Sequence, residues 1–192
     1  ERLKLKLSDG SSFILPIEAV LSPDIPVSSL QAGSELAPDA VRALQEQAEA
    51  FALRRKALRL IAASPNTKAG LKRKLLAKGF ATGLIAGELE RLAGGGLLDD
   101  RAFALSWVRQ RLERLPEGGE LLIAGLRRRG VNREMAEEAV RALLSPEAER
   151  ESARRLIGKL ERRAGMSRGR LEETLSARGF RRSLIRELLG EH

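Results

Sequence analysis

Residues 71–89 read LKRKLLAKGFATGLIAGEL, and the pattern returns as LIAGLRRRGVNREMAEEAV at 122–140 and as LEETLSARGFRRSLIRELL at 171–189. Each copy has two apolar residues four positions apart, then a basic residue, a glycine and an apolar residue, then two further apolar positions. The three glycines lie 51 and then 49 residues apart. Self-similarity of this kind indicates one helical unit copied in tandem, and such arrays typically bind an extended partner.

The residues around each glycine predict how one unit is built. Apolar residues four apart share one face of a helix, and a basic residue after them favours the negative end of the helix dipole. A glycine there can take the left-handed conformation that ends a helix. Thr67, Gly118 and Ser167 stand where this helix would begin, and all three are common N-cap residues. A second short helix would then bury the last apolar positions.

A longer helix is predicted before each copy. The three stretches are rich in alanine and leucine and free of internal proline: 38–63, 99–114 and 146–164. Pro38 and Pro146 suit the first turn of a helix, and Asp99 and Ser145 are suitable N-caps. The predicted fold class is therefore mostly α, an elongated tandem array of three three-helix repeats.

The N-terminal segment has a different periodicity. Leucines alternate with charged residues at 3–7, which is typical of a half-buried strand. Residues 8–11 favour a turn, 13–15 a returning strand, and a proline-containing irregular stretch follows. These features predict a small β-hairpin appendage. The predicted domains are the hairpin at 1–36 and repeats at 37–95, 96–144 and 145–192.

The composition excludes several kinds of chemistry. Without cysteine there can be no disulfide scaffold and no thiolate metal site or thiol nucleophile, which is compatible with the cytosol. His192 is the only histidine, and no zinc-ligand spacing exists. Gly94-Gly95-Gly96 lacks the Gly-Lys-Ser/Thr of a phosphate loop. We expect a cytoplasmic, monomeric, non-enzymatic protein without metal or cofactor.

The positive charge is concentrated in one part of the chain. The net charge is +9, and residues 51–87 contain nine basic side chains and no acidic one. A solvated helix face would interleave glutamates, as residues 133–141 do. This segment therefore predicts contact with a polyanion or an acidic protein. The candidates are Arg54, Arg55, Lys68, Lys72, Arg73, Lys74 and Lys78, together with Arg127, Arg128 and Arg129 of the middle repeat.

A nucleic-acid partner would be bound through its phosphates. Single-strand readers stack bases on aromatic side chains, whereas this chain has one Trp, no Tyr and five Phe, three of them at expected core positions. The turn at 78–80 resembles that of a helix-turn-helix, which would make the protein a free-standing DNA binder. Its following helix, about 82–92, carries Glu88, Glu90 and only Arg91, and so is a poor reading helix.

The sequence from about residue 57 onward resembles the RecX family of bacterial regulatory proteins, which modulate the RecA recombinase. The most specific stretch is GLLDDRAFA at 96–104, which is similar to the family's block of Gly, aromatic, Leu, Asn or Asp, Asp, two variable residues, Phe and Ala. Arg111, Gly118, Leu126 and the triplet 129–131 fit the family's next segment.

The resemblance extends over nearly the whole chain. LQAGSEL at 30–36 is similar to the family's entry into its first long helix, and the family's fold also has three repeats of three helices. The chain departs from the family at Leu97, where an aromatic is usual. It departs again at 64–67, which read SPNT where Arg-x-Arg-Ser is common.

The resemblance implies a non-enzymatic regulator of DNA recombination. Such a protein would bind along the groove of the RecA–DNA filament, suppress ATP hydrolysis and strand exchange, and limit filament growth. Its partners would be the filament and, through phosphates, single- and double-stranded DNA. Arginines of the third repeat would then join the candidates: Arg154, Arg155, Arg162, Arg163, Arg181 and Arg182. The alternative is a nonspecific DNA-binding protein that acts without a recombinase.

Overall fold

The structure of the chain, a computed structural model, describes residues 2–7, 10–16, 33, 35–164 and 166–190. These residues contain two antiparallel strands followed by nine helices. The strands are β1 (Arg2–Lys6) and β2 (Ser12–Pro16), and the helices are α1 (Pro38–Ala63), α2 (Lys68–Leu76), α3 (Thr82–Gly94), α4 (Asp100–Arg114), α5 (Gly119–Arg128), α6 (Arg133–Leu143), α7 (Pro146–Ala164), α8 (Arg168–Ala177) and α9 (Arg182–Leu189). They form three sets of one longer and two shorter helices, so the prediction of three-helix repeats after a hairpin is confirmed.

The helices begin where their capping residues predict. Side chains of Thr67, Asp99 and Ser145 accept backbone N–H bonds from the first turn of α2, α4 and α7 at 2.9 to 3.2 Å. Helices α1 and α7 also begin with proline. Ser167 occupies the N-cap position of α8, but its side chain makes no capping hydrogen bond.

The described residues belong to two compact units. The first comprises residues 1–64 and 74–91, and the second comprises 65–73 and 92–192. The boundaries at 36, 95 and 144 stay predictions.

In the first unit the hairpin packs on helix α1. Leu15 of β2 and Leu44 of α1 are fully buried, and Leu3, Leu5 and Phe51 pack against them. The alternating leucines of β1 therefore face the helix, as their period of two predicts. The predicted turn residues Ser8 and Asp9 lie outside the described residues, as do Pro23 and Pro26 of the predicted irregular stretch. Pro16, expected in that stretch, is the last residue of β2.

The repeated apolar positions form the cores, as predicted. Those that are buried are Leu71, Leu75, Leu89, Leu122, Leu126, Val131, Val140, Leu171, Leu175, Phe180 and Leu184. Phe80, Leu84, Met135 and Leu189 are half-buried. None of the described helices is long and apolar enough to cross a bilayer. The same residues contain no cluster of His, Cys, Asp or Glu that could hold a metal ion.

The three repeated glycines end their helices in the left-handed conformation. Their φ angles are +86° at Gly79, +92° at Gly130 and +80° at Gly179. In each turn the residue after the glycine donates its backbone N–H to the carbonyl of the second leucine, at 3.2 to 3.4 Å. This is the predicted helix cap, in which glycine is favoured because other residues are strained at positive φ.

Within the second unit, the turn at Gly130 also receives the beginning of helix α2. The Thr67 hydroxyl donates to the Arg129 carbonyl at 2.6 Å. A Cβ at Gly130 would overlap the side chain of Ala69. The glycine is therefore needed both for its φ angle and for the close approach of α2.

The turn at Gly179 receives helix α5 in a similar way. Backbone N–H groups of Gly118 and Glu120 donate to the carbonyls of Arg178 and Gly179 at 2.8 and 3.2 Å. A Cβ at Gly179 would overlap Leu121, and one at Gly118 would overlap the Gly179 carbonyl. Two backbones thus meet where neither can carry a side chain.

In both docking contacts, the helix N-terminus also binds a carboxylate from the following three-helix set. The first N–H of α2, at Lys68, donates to Asp100, and the first N–H of α5, at Gly119, donates to Glu149, both at 2.8 Å. A carboxylate is favoured there because the helix dipole leaves partial positive charge at the N-terminus. Asp100 and Glu149 are 49 residues apart, the same spacing as Gly130 and Gly179. Helix docking is therefore itself a repeated feature.

Alanine substitutions at Gly179 and at Gly79 distinguish two roles of the repeated glycines. One role is to adopt a positive φ angle, and the other is to leave room for a docking helix. Both variants suffer the left-handed strain of about 1–2 kcal/mol, but nothing lies within 4 Å of the Cβ position at Gly79. We expect Gly179→Ala to lower the free energy of unfolding by about 1–3 kcal/mol more than Gly79→Ala, because it also overpacks against Leu121. Urea unfolding followed by circular dichroism measures both, and equal losses would contradict the docking role.

Candidate nucleic-acid and partner interface

Most of the predicted basic candidates are exposed. The exposed ones are Arg54, Lys72, Arg73, Lys74, Lys78, Arg127, Arg128, Arg129, Arg154, Arg155, Arg162, Arg181 and Arg182. Arg55 and Lys68 are half-buried, and the side chain of Arg163 lies outside the described residues. Exposure alone does not make a cation available, because several of these side chains are held by contacts within the protein.

Four of the candidates lie in the first unit. Arg54 and Arg55 belong to α1, whereas Lys74 and Lys78 lie at the end of α2 and in the following turn. The Arg55 guanidinium carbon is 6.0 Å from the centre of the Phe51 ring, so a cation–π contact restrains this side chain.

Helix α3 is unsuited to reading DNA bases. Glu88 is buried and accepts hydrogen bonds from Arg91, the one basic residue of α3. Its arginine is thus paired within the helix. The structure therefore gives no support to the helix-turn-helix alternative at this position.

In the second unit, docking joins two basic segments that belong to different repeats. The Arg73 guanidinium of α2 donates to the Arg128 carbonyl at 3.3 Å. The next carbonyl, that of Arg129, is the one bound by Thr67 at the start of α2. We call Lys72, Arg73, Arg127, Arg128 and Arg129 the α2–α5 cation surface.

One arginine of this surface is held in place by an aromatic ring. The Arg129 guanidinium carbon lies 4.6 Å from the centre of the Trp107 ring, and its Nη1 donates to the Gly125 carbonyl at 3.0 Å. The pKa of Arg129 is lowered, first by partial burial and then by repulsion from Arg111 and Arg128. The two repulsive contributions come from guanidinium groups that lie near that of Arg129.

Arg111 approaches the same ring but is paired with a carboxylate. Its guanidinium carbon lies 5.7 Å from the centre of the Trp107 ring. Both nitrogens of the fork donate to Glu117, with Nε at 2.9 Å from Oε2. Glu117 is 1% exposed, so Arg111 serves to compensate a buried charge.

On helix α6, by contrast, a basic side chain is paired with an acidic side chain of the same helix. Arg133 donates to Glu137, four residues later, at 2.7 Å. This hydrogen bond is the main reason that the pKa of the Glu137 carboxyl is lowered, with smaller contributions from the charges of Arg133, Arg141 and Arg127. The interleaved charges of the middle repeat thus pair within the helix, which is typical of a solvated face.

The candidates of the third set have different surroundings. Arg181 pairs with the buried Glu149 at 3.1 Å and so belongs to the α5 docking contact. Arg155 lines a cleft of about 220 Å³ between the end of α4 and helix α7. Arg182 lines another cleft beside Glu172 and Glu173.

Sequence reasoning missed the residues that organise the surface. Asp100 entered only as part of the family's block at 96–104, and Glu149, Trp107 and Glu117 were given no role. The 49-residue spacing from Asp100 to Glu149 is the signal that could have identified the docking carboxylates. No comparable periodic signal marks Trp107, because the other two repeats lack a tryptophan.

Comparisons with known proteins agree with the architecture. A family model described as RecX, second three-helix domain, matches residues 99–140. The regulatory protein RecX of Mycobacterium sp. (strain KMS) is 34% identical over 161 residues, which cover 79% of this chain and 85% of that protein. RecX of Mycobacterium leprae (strain Br4923) is 34% identical over 158 residues, covering 79% and 89%. A crystal structure of a regulatory protein RecX has the same fold, with a TM-score of 0.76 at 23% identity, covering 100% of this chain and 95% of the other.

The neighbours Arg181 and Arg182 are expected to differ in their effect on stability. Arg181→Ala removes the partner of a buried carboxylate and should lower the free energy of unfolding by about 1–2 kcal/mol. Arg182→Ala alters an exposed side chain and should change it by less than about 0.5 kcal/mol. Thermal and urea unfolding of both variants measure the difference. If Arg182→Ala proves as destabilising as Arg181→Ala, the structural role of Arg181 is wrong.

Proposed function

Because this chain belongs to the RecX family of regulatory proteins, we propose that it binds the RecA–DNA filament along its groove. There it lowers ATP hydrolysis and strand exchange and limits filament growth. Its partners are the recombinase filament and, through phosphates, single- and double-stranded DNA. The protein acts as a monomer, without catalysis, in the cytoplasm where its partners are.

The observation that supports this proposal best is the α2–α5 cation surface. It gathers basic residues of two repeats, and all five are exposed. Arginine and lysine neutralise phosphates and release counterions, which gives binding that depends on salt but not on base sequence. A filament offers both DNA phosphates and protein surface, and a regulator of the whole filament has no need to read bases.

The side chains available for contact also argue against base recognition. Trp107, the only tryptophan, has the guanidinium groups of two arginines over its ring. Phe180 is buried, and Phe80 and Phe103 are half-buried. Stacking of bases on aromatic side chains, as single-strand readers use, is therefore poorly supported here.

The alternative is a nonspecific DNA-binding protein that works without a recombinase. It would use the same cation surface, so affinity for naked DNA does not separate the two functions. The two functions differ in the number of copies of this protein that inhibition requires. A filament regulator acts at a few copies per filament, whereas a simple competitor must cover the DNA.

The test is the single-stranded-DNA-dependent ATPase activity of the cognate recombinase, titrated with this protein at constant salt. We expect the ATPase rate to fall at ratios well below one protein per recombinase monomer. Affinity for the same naked DNA is measured in parallel. Inhibition that appears only when the DNA is saturated would mean competition for the lattice, and the DNA-binding alternative would replace the proposal.

Charge reversal tests whether the α2–α5 surface carries the activity. The double variant Lys72→Glu/Arg73→Glu should weaken filament inhibition at least about tenfold, because like charges repel phosphates at short range. The matched control is Arg101→Glu/Arg109→Glu, which makes the same charge change at exposed positions of α4 outside the candidate set. A similar loss in both variants would mean that only the net charge matters.

A further inference from the structure

We propose that Trp107 is a positioning residue that holds Arg129 ready to bind a DNA phosphate. The inference rests on the proposed function and deepens it, since it names the contact by which the α2–α5 cation surface engages nucleic acid. Arg129 would be the residue that touches the phosphate, and Trp107 would act through it.

Three contacts fix the position of Arg129. Its guanidinium carbon is 4.6 Å from the centre of the Trp107 ring, and its Nη1 donates to the Gly125 carbonyl at 3.0 Å. Its own carbonyl accepts the Thr67 hydroxyl at 2.6 Å. The ring lies so close to Gly125 that any Cβ there would overlap it. Side chain and backbone of Arg129 are therefore both restrained, although the residue remains exposed.

The charge at this place is not balanced. Arg111 shares the ring, but its charge is compensated by the buried Glu117. Among the described residues, no carboxylate pairs with Arg129. Arg128 adds a further exposed cation, and repulsion from Arg111 and Arg128 contributes to the lowered pKa of Arg129. A bound anion would relieve this repulsion.

The geometry favours phosphate as that anion. A guanidinium group is planar and can bind two phosphate oxygens at once. An arginine already held against a ring loses little conformational entropy when it binds, which raises affinity. Because both arginines already occupy the ring, Trp107 is better suited to orient a cation than to stack on a base.

Two pairs of substitutions test whether the contact between the Arg129 guanidinium and the Trp107 ring contributes to phosphate binding. Arg129→Lys keeps the charge but removes the planar fork, and Arg109→Lys makes the same change at an exposed position of α4 outside the candidate set. Trp107→Leu removes the ring, and Trp107→Phe keeps an aromatic face. The probe is a fluorescently labelled oligothymidine, whose affinity is measured by anisotropy at several salt concentrations, with circular dichroism to confirm folding.

We expect Arg129→Lys and Trp107→Leu each to weaken oligothymidine binding by about three- to tenfold. Arg109→Lys should change it less than twofold, and Trp107→Phe should restore most of the affinity. The slope of log affinity against log salt should fall by about 0.7 for Trp107→Leu, as for one lost phosphate contact. A purely structural role for Trp107 would leave this slope unchanged. In the unsubstituted protein, the emission of Trp107 should change as the oligonucleotide binds.

Equal losses for Arg109→Lys and Arg129→Lys would overturn the proposal, and so would an unchanged salt slope for Trp107→Leu. If oligothymidine binding is unaltered while inhibition of the recombinase is lost, Arg129 contacts protein and not phosphate. In that case the phosphate contact is wrong and the proposed function stands. If instead the protein never inhibits the recombinase but all expected DNA-binding effects appear, the proposed function fails. The role of Trp107 in positioning Arg129 for phosphate binding then still stands.

Discussion

The close approach of a helix N-terminus to a glycine turn is the contact on which the second unit depends. At Gly179 the turn needs a positive φ angle and also has no room for a Cβ. Backbone N–H groups at the start of α5 meet the free carbonyls at the end of α8, so opposite ends of two helix dipoles face each other. Glu149 adds a carboxylate at the same helix N-terminus and is itself paired with Arg181. One backbone contact thus satisfies polar groups that would otherwise be buried without partners.

The same contact at Gly130 creates the candidate interface. When α2 docks there, Arg73 reaches the Arg128 carbonyl, and the basic end of α5 gains a cation from another repeat. Trp107 and the carbonyl of Gly125 then fix one of these cations, Arg129. Packing and function are therefore linked, because the surface exists only where two repeats meet. Fixed arginines are favourable for binding, since the entropic cost of ordering them has already been met in folding.

Features that depend on residues close together in the chain could be predicted from the sequence. Leucine spacing predicted the helices, Asp99 and Thr67 predicted their starts, and the repeated glycines predicted their left-handed ends. Contacts between repeats were harder to foresee, because a carboxylate such as Glu149 shows no local sign of the distant N–H group that it binds. For the same reason Arg181 looked like a free cation, although it serves a buried charge.

The most direct measurement is hydrogen–deuterium exchange of this protein, alone and bound to the cognate recombinase filament on single-stranded DNA. We expect backbone amides in two segments, 68–74 and 126–131, to become protected together on binding. Both segments border the α2–α5 cation surface, and one docking contact joins them. Protection confined to the third set, with these two segments exchanging as in the free protein, would contradict the assignment of the interface.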